Sequence, residues 1–255
     1  HDIALDGAGD VYLTGFSQSS WGSPVRGYSG SADAFVAKVS GDTGILQWHT
    51  FLGGGNYDYG DGIAVKNGNV FITGESLSSW GQPIRPLSGA GDAFVARIAG
   101  SSGMLQWHIF LGGSGYDGGT DIAVDNGGNV YLAGWSDASW GSPRRGYQGS
   151  TDAFAARLLI RTLTVIANRT TAVPITSSPS GYGGTTGYTK GAANGRAITL
   201  TAPATKGSAR FDGWSGCDAT NQAARTCTVT MSADKAVTAN YKGGQPGVLM
   251  LLLDE

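Results

Sequence analysis

Four motifs recur in one order along the first part of the chain, and this recurrence constrains the fold more than any other feature. Ile3-Ala-Leu-Asp6 returns as Ile63-Ala-Val-Lys66 and Ile122-Ala-Val-Asp125. Val11-Tyr-Leu-Thr-Gly15 returns as Val70-Phe-Ile-Thr-Gly74 and Val130-Tyr-Leu-Ala-Gly134. Ser20-Trp-Gly-Ser-Pro24 returns as Ser79-Trp-Gly-Gln-Pro83 and Ser139-Trp-Gly-Ser-Pro143. Asp33-Ala-Phe-Val-Ala37 returns as Asp92-Ala-Phe-Val-Ala96 and Asp152-Ala-Phe-Ala-Ala156, and the offset is 59 or 60 residues throughout. A fifth motif, Leu46-Gln-Trp-His49, returns only once, as Leu105-Gln-Trp-His108.

Each unit reads as four short strands. Asn67-Gly68 and its counterparts (Gly7-Ala-Gly9, Asn126-Gly-Gly128) mark a tight hairpin between the first two. A long loop carrying Trp-Gly-x-Pro leads to the third, and a Gly-containing turn leads to the fourth. Four antiparallel strands per repeat describe a propeller blade. Repeats start near residues 2, 62 and 121, and the third ends after its third strand, at Ala153 to Leu158. Three blades do not close a ring, which typically takes 4 to 8. A visible piece of a longer protein, two chains giving six blades, and an open array covered by neighbours all fit the sequence.

Composition agrees with an all-β chain. Glycine supplies 43 of 255 residues, about 17%, where roughly 7% is usual. In a helix interior each would cost about 1 kcal/mol relative to alanine, so helices are not expected to dominate. Charged residues make up only 14%, the net charge is -2, and no basic block is present, so nucleic acid is not an expected partner. The longest apolar run, Val248 to Leu253, is far short of the roughly 20 residues that span a bilayer. The opening at His1-Asp-Ile, with no signal segment, reads as that of a mature or trimmed chain.

Residues 1 to 158 resemble the SBBP-type β-propeller repeat family of bacteria, whose units carry a similar progression from Ile-Ala-Val-Asp to Asp-Ala-Phe-Val-Ala-Lys. The resemblance implies a surface or secreted propeller without a particular chemistry. The periodicity ends near Leu159-Ile-Arg161, where Leu163-Thr-Val-Ile-Ala167 begins another pattern. Further strands are expected at Ala197 to Thr201, Ala209 to Trp214, Cys227 to Met231 and Ala236 to Tyr241, with Gly181 to Gly195 as a long loop or irregular hairpin. Arg210-Phe-Asp-Gly-Trp-Ser-Gly-Cys217, Cys227-Thr-Val-Thr-Met231 and Asp234 to Tyr241 resemble the divergent internalin B-repeat family. That resemblance implies a small β-sheet spacer or attachment module, β-grasp-like or a sandwich. The expected organisation is a propeller-repeat region over 1–160, a β module over 161–242, and a Gly-rich linker with an apolar strand over 243–255.

Cys217 and Cys227 are the only cysteines. No His or acidic cluster accompanies them, and Cys-x-x-Cys is the commoner redox spacing, so a structural disulfide is expected. It implies an oxidising compartment, extracellular or at the cell surface. Loops on a rigid scaffold commonly hold function, which makes the Trp-Gly-x-Pro loop the main site candidate. It groups Trp21, Arg26 and Tyr28; Trp80, Arg85 and Leu87; and Trp140, Arg145 and Tyr147. Trp with Arg suits sugar stacking or protein contacts. The competing reading is that each Trp folds back as a lid over its own blade.

His49 and His108 fall on the strand face opposite the preceding Trp, and a structural role is expected for them. No nucleophile motif accompanies them, so the chain is expected not to be an enzyme, a propeller hydrolase or lyase being the weaker alternative. Asp6, Asp33, Asp58, Asp92, Asp117, Asp125 and Asp152 read as turn-capping residues. No cofactor is expected; calcium at one of these loops is the alternative. Val248, Leu249, Met250, Leu251, Leu252 and Leu253 form an apolar stretch suited to strand addition at an open sheet edge. Together these features point to a non-enzymatic scaffold or adhesin, a subunit of a surface assembly or filament. Its partners would be other protein chains or surface glycans, the latter making it a lectin-like propeller.

Overall fold

A computed structural model describes residues 1–243. All described secondary structure is β, and the chain divides into two compact units that meet in sequence between Leu159 and Ile160. The tail strand expected at Val248 to Leu253 lies outside the described residues.

The first unit holds three sheets in sequence. The first comprises β1 (Asp2–Leu5), β2 (Val11–Ser17), β3 (Asp33–Val39) and β4 (Leu46–Leu52), paired in that order. The second repeats it with β5 (Asp58–Lys66), β6 (Asn69–Ser76), β7 (Asp92–Ala99) and β8 (Leu105–Leu111). The third has β9 (Asp117–Val124), β10 (Val130–Ser136) and β11 (Asp152–Leu158), with β11 at its edge. Within each blade all pairing is antiparallel. The β5–β6 hairpin closes through Asn67 at φ 49° and Gly68 at φ 69°, the two positive values that a two-residue type I′ turn requires. β5 and β9 begin earlier than the Ile-Ala-Val motif, at Asp58 and Asp117, and the glycines there pair with β6 and β10 on either side of a bulge at Asp61 and Thr120.

Blade stacking is visible in the burial. β6 is buried almost continuously, whereas β2 and β10 have exposed positions. A strand covered on both faces has no solvent side, so the middle blade is sandwiched. Ile63 N–H donates to Asp2 Oδ2 at 2.9 Å, and Trp48 Nε1 donates to Gly100 O at 2.9 Å, joining blades one and two. Trp107, the counterpart of Trp48, is buried, and its Nε1 has no partner among the described residues.

The second unit has β12 (Ile160–Ala167), β13 (Pro174–Ser178), β14 (Gly184–Thr185), β15 (Tyr188–Ala193), β16 (Ala197–Thr201) and β17 (Thr205–Lys206). It continues with β18 (Ala209–Ser215), β19 (Ala219–Asn221), β20 (Thr226–Thr230) and β21 (Lys235–Lys242). Two five-stranded sheets result, ordered β15-β12-β21-β18-β17 and β14-β13-β16-β20-β19. Their inner faces share one core, with Leu163, Val165 and Val237 from one and Ile198, Leu200 and Val229 from the other. This is the sandwich alternative, and no helix among the described residues completes a β-grasp. The Gly181 to Gly195 stretch is more ordered than a loop: β15 pairs with β12 and buries Ala192. Cys217, in the connection from β18 to β19, is bonded to Cys227 in β20, so the disulfide ties that connection to β20.

Candidate functional site

Each Trp-Gly-x-Pro loop of the first two blades folds back across its own fourth strand. His49 and Phe51 share a face of β4, as His108 and Phe110 do on β8. Trp21 stacks on His49 with centroids 3.8 Å apart and planes 10° apart. Trp80 stacks on His108 at 3.9 Å and 4°. The edges of Phe35 and Phe51 meet Trp21, and those of Phe94 and Phe110 meet Trp80, at 5.7–5.8 Å. The histidine Nε2 lies 2.7 Å from the carbonyl of the same tryptophan in both blades. A carbonyl only accepts, so Nε2 carries the proton. Burial holds His108 neutral by lowering its pKa to about 4.

The loop backbone extends the sheet past the fourth strand. Val25 N–H donates to His49 O at 2.9 Å and Phe51 N–H to Arg26 O at 3.1 Å, and Ile84 and Arg85 repeat the pattern with His108 and Phe110. The arginine completes the clamp. Arg26 donates to Phe51 O and Gly53 O at 2.9 and 2.7 Å; Arg85 donates to Phe110 O and Gly112 O at 3.1 and 2.8 Å. The Arg26 guanidinium also lies 5.3 Å from the ring centroid of Trp80 in the next blade.

Behind each clamp two buried aspartates converge on a glycine. A methyl group on Gly53 would lie 2.6 Å from Asp33 Oδ1 and 2.8 Å from Asp58 Oδ2, so any side chain there would displace the carboxylates. Asp92 and Asp117 surround Gly112 in the same way. Asp33 accepts Ser29 N–H at 2.8 Å and Asp58 accepts Gly54 N–H at 2.9 Å, while the Ser76 hydroxyl donates to Asp58. Among the described residues, Asp33, Asp92 and Asp117 each keep one buried oxygen without a partner. Burial, with Asp33 alongside, pushes the Asp58 carboxyl up to about 6, and burial raises Asp33 and Asp92 as well. No group of three or more His, Cys, Asp or Glu that could hold a metal ion occurs among the described residues.

The third repeat departs from this pattern because, among the described residues, no fourth strand follows β11 in its sheet. Trp140 still donates to Ser136 Oγ at 3.1 Å, as Trp80 does to Ser76. Among the described residues its one aromatic ring contact is Phe154, at 5.1 Å. Arg145 is exposed and makes no hydrogen bond or ion pair among the described residues. A cleft of about 250 Å³ opens there, lined among others by Trp140, Pro143, Arg145, Tyr147, Phe154 and Ala156. Ala153 and Ala155 are exposed, whereas their counterparts Ala34, Val36, Ala93 and Val95 are completely buried.

The sequence-selected residues therefore separate into two groups. Trp21, Arg26, Trp80 and Arg85 are engaged in lids over their own blades. Tyr28 packs edge-on against Phe51 and donates to Gly30 O, and Leu87 packs against the core. Trp140, Arg145 and Tyr147 line the open cleft beside β11. The aspartates act as cappers, Asp6 accepting Ala8 and Asp10 N–H and Asp125 accepting Asn129 N–H. Sequence reasoning did not foresee the carboxylate pairs; the repeated 25-residue spacing of Asp33 to Asp58 and of Asp92 to Asp117 is the signal that marks them.

Residues 106–139 match the family model described as Beta-propeller repeat. Residues 173–245 match the model described as Divergent InlB B-repeat domain. No curated protein matches the chain. The order of the two matches is that of the two structural units, and the chain thus carries a β-propeller repeat region followed by a divergent InlB B-repeat domain.

Proposed function

We propose that the chain is a non-enzymatic scaffold of a bacterial extracellular or cell-surface assembly, held to other protein chains by exposed strand edges. The repeat families are of bacterial surface type, and a disulfide suits an oxidising compartment. One observation carries the reading. The loops that would supply a ligand site are spent on internal lids in two repeats, whereas β11 presents an edge beside apolar side chains. Such an edge is a template for pairing with another chain.

Analytical ultracentrifugation of the full chain tests this. The wild type associates with rising concentration, and Ala155→Lys, which places a charge on the edge, holds it at 26.1 kDa. A wild type that stays monomeric at all concentrations contradicts the reading. A carbohydrate-binding alternative keeps one loop, that of Trp140 and Arg145, and a glycan array with Trp140→Ala as control reports on it.

A further inference from the structure

We propose that the cleft beside β11 is an acceptor for one β-strand carrying the His-x-Phe-Leu pattern of β4 and β8, delivered by a separate polypeptide segment. This rests on the strand-edge reading above and narrows the partner to a sequence pattern. The chain supplies two worked examples of what fills the equivalent place.

Register comes first. Ala37 pairs with His49 and Phe35 with Phe51; Ala96 pairs with His108 and Phe94 with Phe110. The counterparts on β11 are Ala156 and Phe154, and both line the cleft. An incoming antiparallel strand therefore sets His opposite Ala156 and Phe opposite Phe154. Its other edge meets the backbone of Arg144 and Arg145, in the places of Val25 and Arg26, whose N–H and C=O pair with the fourth strand in blade one.

Side-chain chemistry selects the pattern. Trp140 already occupies the lid position, held by Ser136. Its free face and its carbonyl reproduce the stacking surface and the acceptor that hold His49 and His108. An aliphatic residue in the histidine position would cover the Trp140 carbonyl and leave it unpaired. Phe in the next inward position restores the second edge contact that Trp21 and Trp80 have and Trp140 lacks. Arg145 then reaches the carbonyl of that Phe, as Arg26 and Arg85 do. The cleft, at about 250 Å³, lies below the roughly 300–1,000 Å³ of small-molecule pockets and is scaled to side chains.

The test is fluorescence anisotropy with a labelled peptide of residues 104–113, titrated with the full chain. Saturable binding is expected. Replacing the peptide's His by Leu or its Phe by Ala weakens it at least about tenfold. Arg145→Ala in the chain weakens it about fivefold without moving the melting temperature, because Arg145 is exposed and unbonded among the described residues. Equal binding of a scrambled peptide, or no binding to the full chain and to a chain ending at Gly243, overturns the proposal. Binding only after that truncation also overturns it, assigning the cleft to the chain's own tail. Peptide failure beside edge-dependent association in the ultracentrifuge defeats the sequence pattern alone; absence of association defeats the scaffold reading.

Discussion

Trp80 lies flat on His108, with ring centroids 3.9 Å apart and planes 4° from parallel, and its carbonyl accepts the His108 Nε2–H. The pair closes the second blade between loop and fourth strand. Trp80 is 4% exposed, so its removal leaves a cavity rather than a groove. Trp80→Ala is expected to cost about 3–5 kcal/mol. Trp140→Ala, with one aromatic neighbour, costs below about 2 kcal/mol. Calorimetry of the two variants reports the difference, and equal losses contradict it.

The arginine clamp predicts a local effect. Arg26→Lys keeps the charge but loses the fork that reaches two carbonyls, Phe51 O and Gly53 O. Proteolysis within residues 19–28 accelerates in this variant, whereas Arg145→Lys leaves cleavage of the third loop unchanged. Mass spectrometry of limited digests locates the cuts.

Two buried groups give opposite pH dependences. The Asp58 carboxyl sits at about 6 against an ordinary 3.8. Between these values the folded chain keeps a proton that the unfolded chain has lost, so this contribution falls as pH rises from about 4 to 6. His108 sits at about 4 against an ordinary 6.5. There the unfolded chain holds the extra proton, and the contribution rises across nearly the same window. Each limb is worth on the order of 3 kcal/mol. Relative to wild type, Asp58→Asn tilts the stability–pH curve upward with pH and His108→Gln tilts it downward. Urea titrations at pH 4, 5, 6 and 7 measure both slopes.

The disulfide stabilises one unit only. A loop with a sequence separation of 10 contributes about 3 kcal/mol on the chain-entropy model. Replacing Cys217 and Cys227 together by Ala lowers the melting of the C-terminal unit and leaves the propeller-repeat transition in place. Differential scanning calorimetry with two resolved transitions checks this.

The blades were legible because a period repeated three times identifies strands that no single window would. Asp58 to Gly62 was not legible as strand, because glycine in a strand interior reads as a loop. Gly60 is there because a methyl group would meet the Thr14 hydroxyl and the Gly15 carbonyl of the preceding blade. β15 was hidden for a similar reason, since Gly184, Gly187 and Gly191 mask the alternation that Ala192 completes in the core. In the site, residue types alone could not separate a ligand-facing Trp from a lid. The distinction lies in His49 and His108, which recur with Trp21 and Trp80 and have no counterpart for Trp140.

Amide hydrogen exchange across the three third strands tests the central claim most directly. β3 and β7 are paired on both sides, by β2 and β4 and by β6 and β8, whereas among the described residues β11 is paired by β10 alone. The amides of β11 that point away from β10 are predicted to exchange at least about a hundredfold faster than their counterparts in β3 and β7. Equal protection in all three strands would contradict an open acceptor edge.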